Sequence, residues 1–145
     1  LFNVVGPRQT GRYGMVIPRL VKQALQNKPI TVFGDGKQSR CFTHVKDAVD
    51  AIIKLSATEK AIGEVINLGN DKEIPIEEIA KKIKEAARSK SEIRYIPYSE
   101  AYEEGFEDMR RRVPDLAKIK KLIGYKSKYS LDNIIKDVIK YYKGR

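Results

Sequence analysis

Apolar residues along this chain alternate between short continuous runs and stretches with helical spacing, and glycines, prolines and polar clusters separate the two. Residues Met15 to Gln26 put Val16, Leu20, Val21, Ala24 and Leu25 on one face, with Pro18 in the first turn, where a missing N–H costs little. Asn27-Lys28-Pro29 stops that helix. Val45 to Leu55 repeats the spacing on Val45, Ala48, Val49, Ile52 and Ile53. Ile76 to Arg88 does so on Ile76, Ile79, Ala80, Ile83 and Ala87, with Pro75 at its start and Glu77 and Glu78 in the first turn, where the helix dipole favours acids. Asp115 to Ile123 is a shorter helix, capped by Asp115 and ended by Gly124. Ser130 caps the last one, whose apolar face is Leu131, Ile134, Ile135, Val138, Ile139 and Tyr142. Strands are expected at Leu1–Val5, Ile30–Phe33, Ser39–Thr43, Gly63–Leu68 and Glu92–Ile96. Arg8–Gly14 reads as a polar loop and Pro97–Val113 as an irregular charged stretch. The alternation of strands and helices makes the class α/β.

A chain of 145 residues with 41% hydrophobic residues suits one domain with a real core. No stretch approaches the roughly 20 apolar residues that span a bilayer, so no membrane association is expected. The first residues lack the basic flank and small-residue cleavage site of a signal peptide. They also lack an initiator Met, and they read as a strand entered mid-chain, so a fragment is expected. Cys41 is the only cysteine, which excludes an internal disulfide and disfavours a metal cluster. A cytoplasmic location is the default expectation.

The net charge of +10 raises the possibility of nucleic-acid binding. The excess is late: from Lys118 to Arg145 there are nine basic and two acidic residues. Most are lysines on helices whose other face is apolar, the pattern of a solvated face. No aromatic interleaving, helix-turn-helix or zinc pattern accompanies them. Nucleic acid is therefore not the expected partner, and part of the charge suits a diphosphate instead.

Candidate chemistry is sparse. Gly34-Asp35-Gly36-Lys37 follows a strand as a nucleotide loop would, but extended residues and no third glycine follow it, so it reads as a hairpin-like turn. His44, the only histidine, has no neighbouring cluster for a triad or a metal set, and reads as structural at a strand-to-helix junction. Arg40 and Arg112 are the informative residues, because a planar guanidinium can hold two phosphate oxygens at once. A surface ion pair is the plainer reading of either alone. Phe33 could present its ring to a base, though a lone phenylalanine is more often core.

Four segments together resemble the extended short-chain dehydrogenase/reductases that act on nucleotide sugars. Phe2-Asn3-Val4-Val5-Gly6-Pro7-Arg8 is similar to that family's strand after its catalytic helix. Ile30 to Gly36 and Gln38 to Asp47 resemble its "ITVYGDGxQxRxFxxVxD" block. Glu64 to Gly69 resembles its "xVxNxG" strand, and Arg112-Val113-Pro114-Asp115 with Leu122-Ile123-Gly124-Tyr125 its "RxxDxxKxxxxLGW" element. The resemblance covers the whole chain.

The resemblance implies a carboxy-terminal portion of such an enzyme over residues 1–145: the last Rossmann strands plus a small α/β substrate-binding lobe, with the cofactor-binding amino-terminal half absent. It implies that Asn3 contacts the sugar diphosphate and that Arg40 and Arg112 hold it. It implies that Thr31 and Phe33 line the uracil pocket, that Val16 and Ile17 meet the base and that Asp115 lies near the ribose. It places Phe2 close to the nicotinamide of NAD. The expected partner is a UDP-sugar and the expected parent a homodimeric UDP-hexose 4-epimerase. UDP-glucuronate decarboxylases and nucleotide-sugar 4,6-dehydratases share the same blocks, and Gly105–Arg112 tips the expectation towards an epimerase. None of the eight tyrosines is followed four residues later by Lys, so the family's catalytic Tyr-x-x-x-Lys pair is not in this sequence, and the fragment is expected to be inactive alone. Readings from other classes are a self-sufficient, non-catalytic nucleotide-binding module and a basic nucleic-acid-binding domain.

Overall fold

The apolar periods fold as helices that cover short strands. A computed structural model describes residues 1–10, 15–101 and 109–144. In chain order they form β1 (Val4–Val5), α1 (Val16–Leu25), β2 (Ile30–Phe33), β3 (Ser39–Cys41), β4 (Thr43–His44), α2 (Val45–Ser56), a 3-10 turn (Glu59–Ala61), β5 (Glu73–Pro75), α3 (Ile76–Ala87), β6 (Ile93–Ile96), α4 (Tyr98–Ala101), β7 (Arg111–Arg112), α5 (Ala117–Ile123) and α6 (Leu131–Lys143). The expected loop at Arg8–Gly14 and the charged stretch at Pro97–Val113 fall partly outside the described residues.

The strands make three small sheets. β1 pairs in parallel with β4, and β2 in parallel with β6. β3 lies between β5, antiparallel, and β7, parallel. The larger hydrophobic cluster packs α1, α3 and α6 over β2, with Ile17, Leu20, Ile79, Ile83 and Ile134 fully buried. A smaller cluster joins α2 and α5 through Ala48, Ala51, Leu116, Ile119 and Tyr125.

Local rules explain the ends of the helices. Ser130 and Asn133 form a reciprocal capping box at α6. Gly124 takes the left-handed conformation (φ 62°) that ends α5. Asp115 Oδ1 accepts from the Ala117 N–H at 2.8 Å, so it caps α5 from one position before the cap residue, Leu116. His44 is structural, as its isolation in the sequence implies. Fully buried, it accepts the Lys46 N–H on Nδ1, approaches Asp137 with Nε2 at 3.2 Å and stacks on Tyr129.

Three expectations are corrected. The Gly34–Lys37 turn is not a hairpin, because the strands it connects lie in different sheets: β2 pairs with β6 and β3 with β5 and β7. Gly34 and Gly36 both have positive φ, and the turn is held from outside by the Glu77 N–H on the Gly36 carbonyl at 3.0 Å. Gly63–Leu68 belongs to no strand ladder among the described residues, and only a Phe2 N–H to Leu68 carbonyl bond, at 2.9 Å, links it to the chain start. The expected Ser39–Thr43 strand divides at Phe42 into β3 and β4, which belong to different sheets.

Candidate functional site

Arg40 and Arg112 are 72 positions apart in sequence, yet the parallel β3–β7 pairing makes them direct cross-strand partners. Like charges placed opposite each other in a sheet repel, so the arrangement favours an anion between or above them. The two arginines that precede Arg112 are already committed. Arg111 forks onto Glu73 with Nη2–Oε1 at 2.7 Å and Nε–Oε1 at 3.0 Å, and Arg110 approaches Asp35 at 3.5 Å. The Arg111 guanidinium is the main reason the Glu73 carboxyl sits below the usual range, with the Ser39 hydroxyl second. Arg112 instead meets a neutral group, donating through Nη2 to Asn3 Oδ1 at 2.9 Å. Among the described residues no carboxylate pairs with it.

Asn3 is oriented by the fold. Its Nδ2 donates to the Cys41 carbonyl at 2.8 Å, which leaves Oδ1 to face Arg112. Its φ of 40° lies in the left-handed region, which asparagine tolerates better than most residues. Arg40 donates to the Ser39 and Met109 carbonyls at 2.8 and 2.7 Å, which brings its guanidinium to the β7 side.

These residues edge a cavity of about 310 Å³ whose lining includes Asn3, Arg40, Arg112, Phe33, Val16 and Ile17. Six of the sequence-predicted residues therefore converge on one cleft, with cations at one part of its wall and apolar groups at another. Ile17 is fully buried and backs the wall, whereas Val16 and Phe33 are half-exposed at it.

Three predicted residues are placed elsewhere. Thr31 does not line this cavity: its side chain turns to α1, accepting from Gln23 Nε2 at 2.9 Å and contacting Arg19 Nη1. Thr31 shares a face of β2 with Phe33, opposite the buried Val32, but Gln23 and Arg19 of α1 take up its hydroxyl and backbone. Asp115 is exposed and spends its carboxylate on capping α5. Phe2 is half-buried beside Gly69, also outside the lining. The cavity wall holds polar residues that the sequence alone did not single out, among them Gln9, Arg19 and Gln38. Gln38 lies inside the recognised block, and its burial at 7% was the missing signal.

A larger cleft of about 530 Å³ opens between the Gly69–Ile74 segment and the start of α6, but it contains none of the predicted site residues. The Gly34–Lys37 turn leads into a strand, so it offers no helix amino terminus to a dinucleotide pyrophosphate. Among the described residues no three His, Cys, Asp or Glu side chains converge as a metal set, and no helix is long and apolar enough to cross a membrane.

Residues 1–138 match the family model described as GDP-mannose 4,6 dehydratase. The chain belongs to the extended short-chain dehydrogenase/reductase family of nucleotide-sugar epimerases and dehydratases. It is 41% identical over 143 residues to a UDP-N-acetyl-alpha-D-glucosaminuronate decarboxylase of Bacillus cytotoxicus, a match covering 98% of this chain and 44% of that protein. Among solved structures, an epimerase from Methanothermobacter thermautotrophicus superposes with a TM-score of 0.89 at 28% identity, over 99% of this chain and 41% of that one. A UDP-glucuronic acid 4-epimerase from Bacillus cereus, in complex with UDP-glucuronic acid and NAD, superposes with a TM-score of 0.85 at 29% identity, over 99% and 43%. The chain thus spans less than half the length of these relatives. These likenesses establish a mixed α/β, Rossmann-like family fold. The narrower expectation of a carboxy-terminal portion is not established by them.

Proposed function

We propose that this chain is the sugar-nucleotide-holding part of an NAD-dependent UDP-sugar enzyme, with a C4 epimerase as the first reading. The observation that carries the proposal is the cross-strand pair Arg40 and Arg112, set over Asn3 at the edge of the cleft. A diphosphate needs about two positive charges, and two guanidiniums brought from distant parts of the chain supply them. In this reading Asn3 steers Arg112, while Val16 and Phe33 offer an apolar wall to the base. Asp115, at the cap of α5, lies beyond the lining and would reach a ribose only through a longer ligand. NAD would supply the hydride chemistry. The residues here do not provide its glycine fingerprint or the Tyr-x-x-x-Lys acid–base, so no redox step is assigned to them and the chain alone is expected to be inactive. UDP-glucuronate-type decarboxylation is the second reading, favoured by the 41% identical decarboxylase. Part of the Gly105–Arg112 stretch that tips the sequence towards an epimerase lies outside the described residues.

Calorimetric titration with UDP tests the site. The wild-type chain is expected to bind at millimolar affinity or better, and Arg40→Ala and Arg112→Ala each to weaken binding by on the order of tenfold. Unchanged binding in both variants would remove the arginine pair from the site.

A further inference from the structure

Arg112 reaches the cleft from a strand that is poorly held by its own backbone. β7 has two residues, both exposed, and lies at the edge of its sheet. It pairs with β3 in parallel, the slightly weaker arrangement, through Ser39–Arg111 and Arg40–Arg112. One further backbone bond, from the Ser39 N–H to the Arg110 carbonyl at 2.9 Å, leads into it. Charge works against the pairing. Arg110, Arg111 and Arg112 are consecutive cations laid beside Arg40, and like charges opposite each other in a sheet repel.

A carboxylate on the far side of β3 opposes that repulsion. Glu73 of β5 and Arg111 of β7 flank β3, and their side chains meet across the small Ser39. Arg111 Nε reaches Glu73 Oε2 at 3.1 Å in addition to its bonds to Oε1, and the Ser39 hydroxyl donates to the same Oε2 at 2.8 Å. In the ladder Glu73 is opposite Cys41 and Arg111 opposite Ser39, so strand alternation puts these side chains on one face and Arg40 and Arg112 on the other. The cleft lining agrees: it includes Arg40 and Arg112 and neither Glu73 nor Arg111. A carboxylate on the cleft face would occupy the place of an anionic ligand. On the far face it anchors the strand and leaves Arg112 available.

We propose that Glu73 is a positioning residue for the diphosphate site: by gripping Arg111 it keeps β7 on β3 and so holds Arg112 opposite Arg40. The inference rests on the sugar-nucleotide reading above and deepens it. It concerns a residue outside the segments that carry the family resemblance. It also predicts an effect opposite in sign to simple electrostatics, because removing a negative charge near an anion site should otherwise tighten binding.

The test is UDP titration of the chain as wild type, Glu73→Gln, Arg112→Ala, the Glu73→Gln/Arg112→Ala double variant, and Glu73→Arg combined with Arg111→Glu. Glu73→Gln is expected to weaken UDP binding about fivefold. Its urea midpoint should stay close to that of wild type, since an exposed ion pair contributes little to global stability. In the Arg112→Ala background Glu73→Gln should cause no further weakening, because a residue that acts through Arg112 has nothing left to position. The charge-swapped pair restores the tie in reverse and should bind UDP within about twofold of wild type. Binding by Glu73→Gln that equals or exceeds wild type would overturn the proposal, as would an equal weakening with and without Arg112. Both outcomes leave the diphosphate site standing. If the wild-type chain does not bind UDP, the sugar-nucleotide reading falls, and this inference with it. Should Glu73→Gln fail to fold by circular dichroism, the charge-swapped pair decides: folded and binding supports the proposal, folded and not binding overturns it.

Discussion

The helices α3 and α2 are both twelve residues long and both amphipathic, but they meet different surroundings. On α3 the periodic residues Ile76, Ile79, Ala80 and Ile83 are the buried ones. On α2 the expected face was Val45, Ala48, Val49, Ile52 and Ile53, and of these the structure fully buries only Ala48, together with Asp47 and Ala51 from outside that face. Val49, Ile52 and Ile53 are 48%, 49% and 61% exposed. Periodicity therefore reports that a helix has an apolar face, but not that the face has a partner. The contrast extends to the clusters around the two helices. The α1–α3–α6 region is closed by aliphatic packing. The α2–α5 region has a small apolar cluster reinforced by polar ties: the Asp47 carboxylate, the Tyr125 hydroxyl and the loop between α5 and α6.

The largest expected effect lies in the packed region. Ile83→Ala or Ile134→Ala removes a fully buried side chain and should cost about 2–5 kcal/mol in urea denaturation, through lost burial and a residual cavity. A loss below about 1 kcal/mol would mean that this cluster is looser than its packing indicates.

The polar ties come next. Asp47 is 2% exposed and accepts from the Lys128 N–H at 3.1 Å, the Tyr129 N–H at 3.1 Å and the Ser127 hydroxyl at 3.0 Å. Asp47→Ala leaves the Lys128 and Tyr129 amides without that acceptor, while the Ser127 hydroxyl keeps the Tyr129 carbonyl at 3.3 Å, and should cost roughly 2–3 kcal/mol. Hydrogen exchange at the Lys128 and Tyr129 amides should speed up with it. Retained protection there would show that the loop does not depend on the carboxylate.

Tyr125 supplies a pH signature for the same region. Its hydroxyl donates to the Gly69 carbonyl at 2.8 Å, and burial, aided by the Asp47 and Asp71 charges, pushes its pKa up to about 12. Because the folded value lies above the ordinary value of 10, its contribution is intact below pH 10 and is lost as pH rises towards 12. The expected loss is about 1–2 kcal/mol across that window. Tyr125→Phe should flatten the denaturation midpoint over this range relative to wild type. An unchanged slope would assign the alkaline loss to other groups.

Legibility in the sequence followed the same division. The helix boundaries of α1, α3 and α6, the Ser130 cap and the Gly124 stop were readable because each depends on residues within a turn or two. Sheet partners were not, because β3 takes its neighbours from residues more than 30 and 70 positions away. That is why Gly34–Lys37 looked like a hairpin and Gly63–Leu68 like a strand. At the site, the resemblance carried Asn3, Phe33, Arg40 and Arg112 to one cleft. It could not show that Thr31 turns to α1, or that Arg19 lies on Phe33, since both depend on how α1 packs over β2.

The smallest effect is the most direct test of the opening contrast. Ile52→Gln with Ile53→Gln changes two large side chains on the face of α2 that the structure leaves in solvent. Glutamine is at least as good a helix former as isoleucine, so α2 itself loses nothing. The stability change should stay within about 0.5 kcal/mol, as for surface positions generally. Binding of a hydrophobic dye should fall in the double variant, because contiguous apolar surface is what such dyes report. A stability loss of about 2 kcal/mol or more would instead place Ile52 and Ile53 in a packed environment in solution, and α2 would then resemble α3 after all.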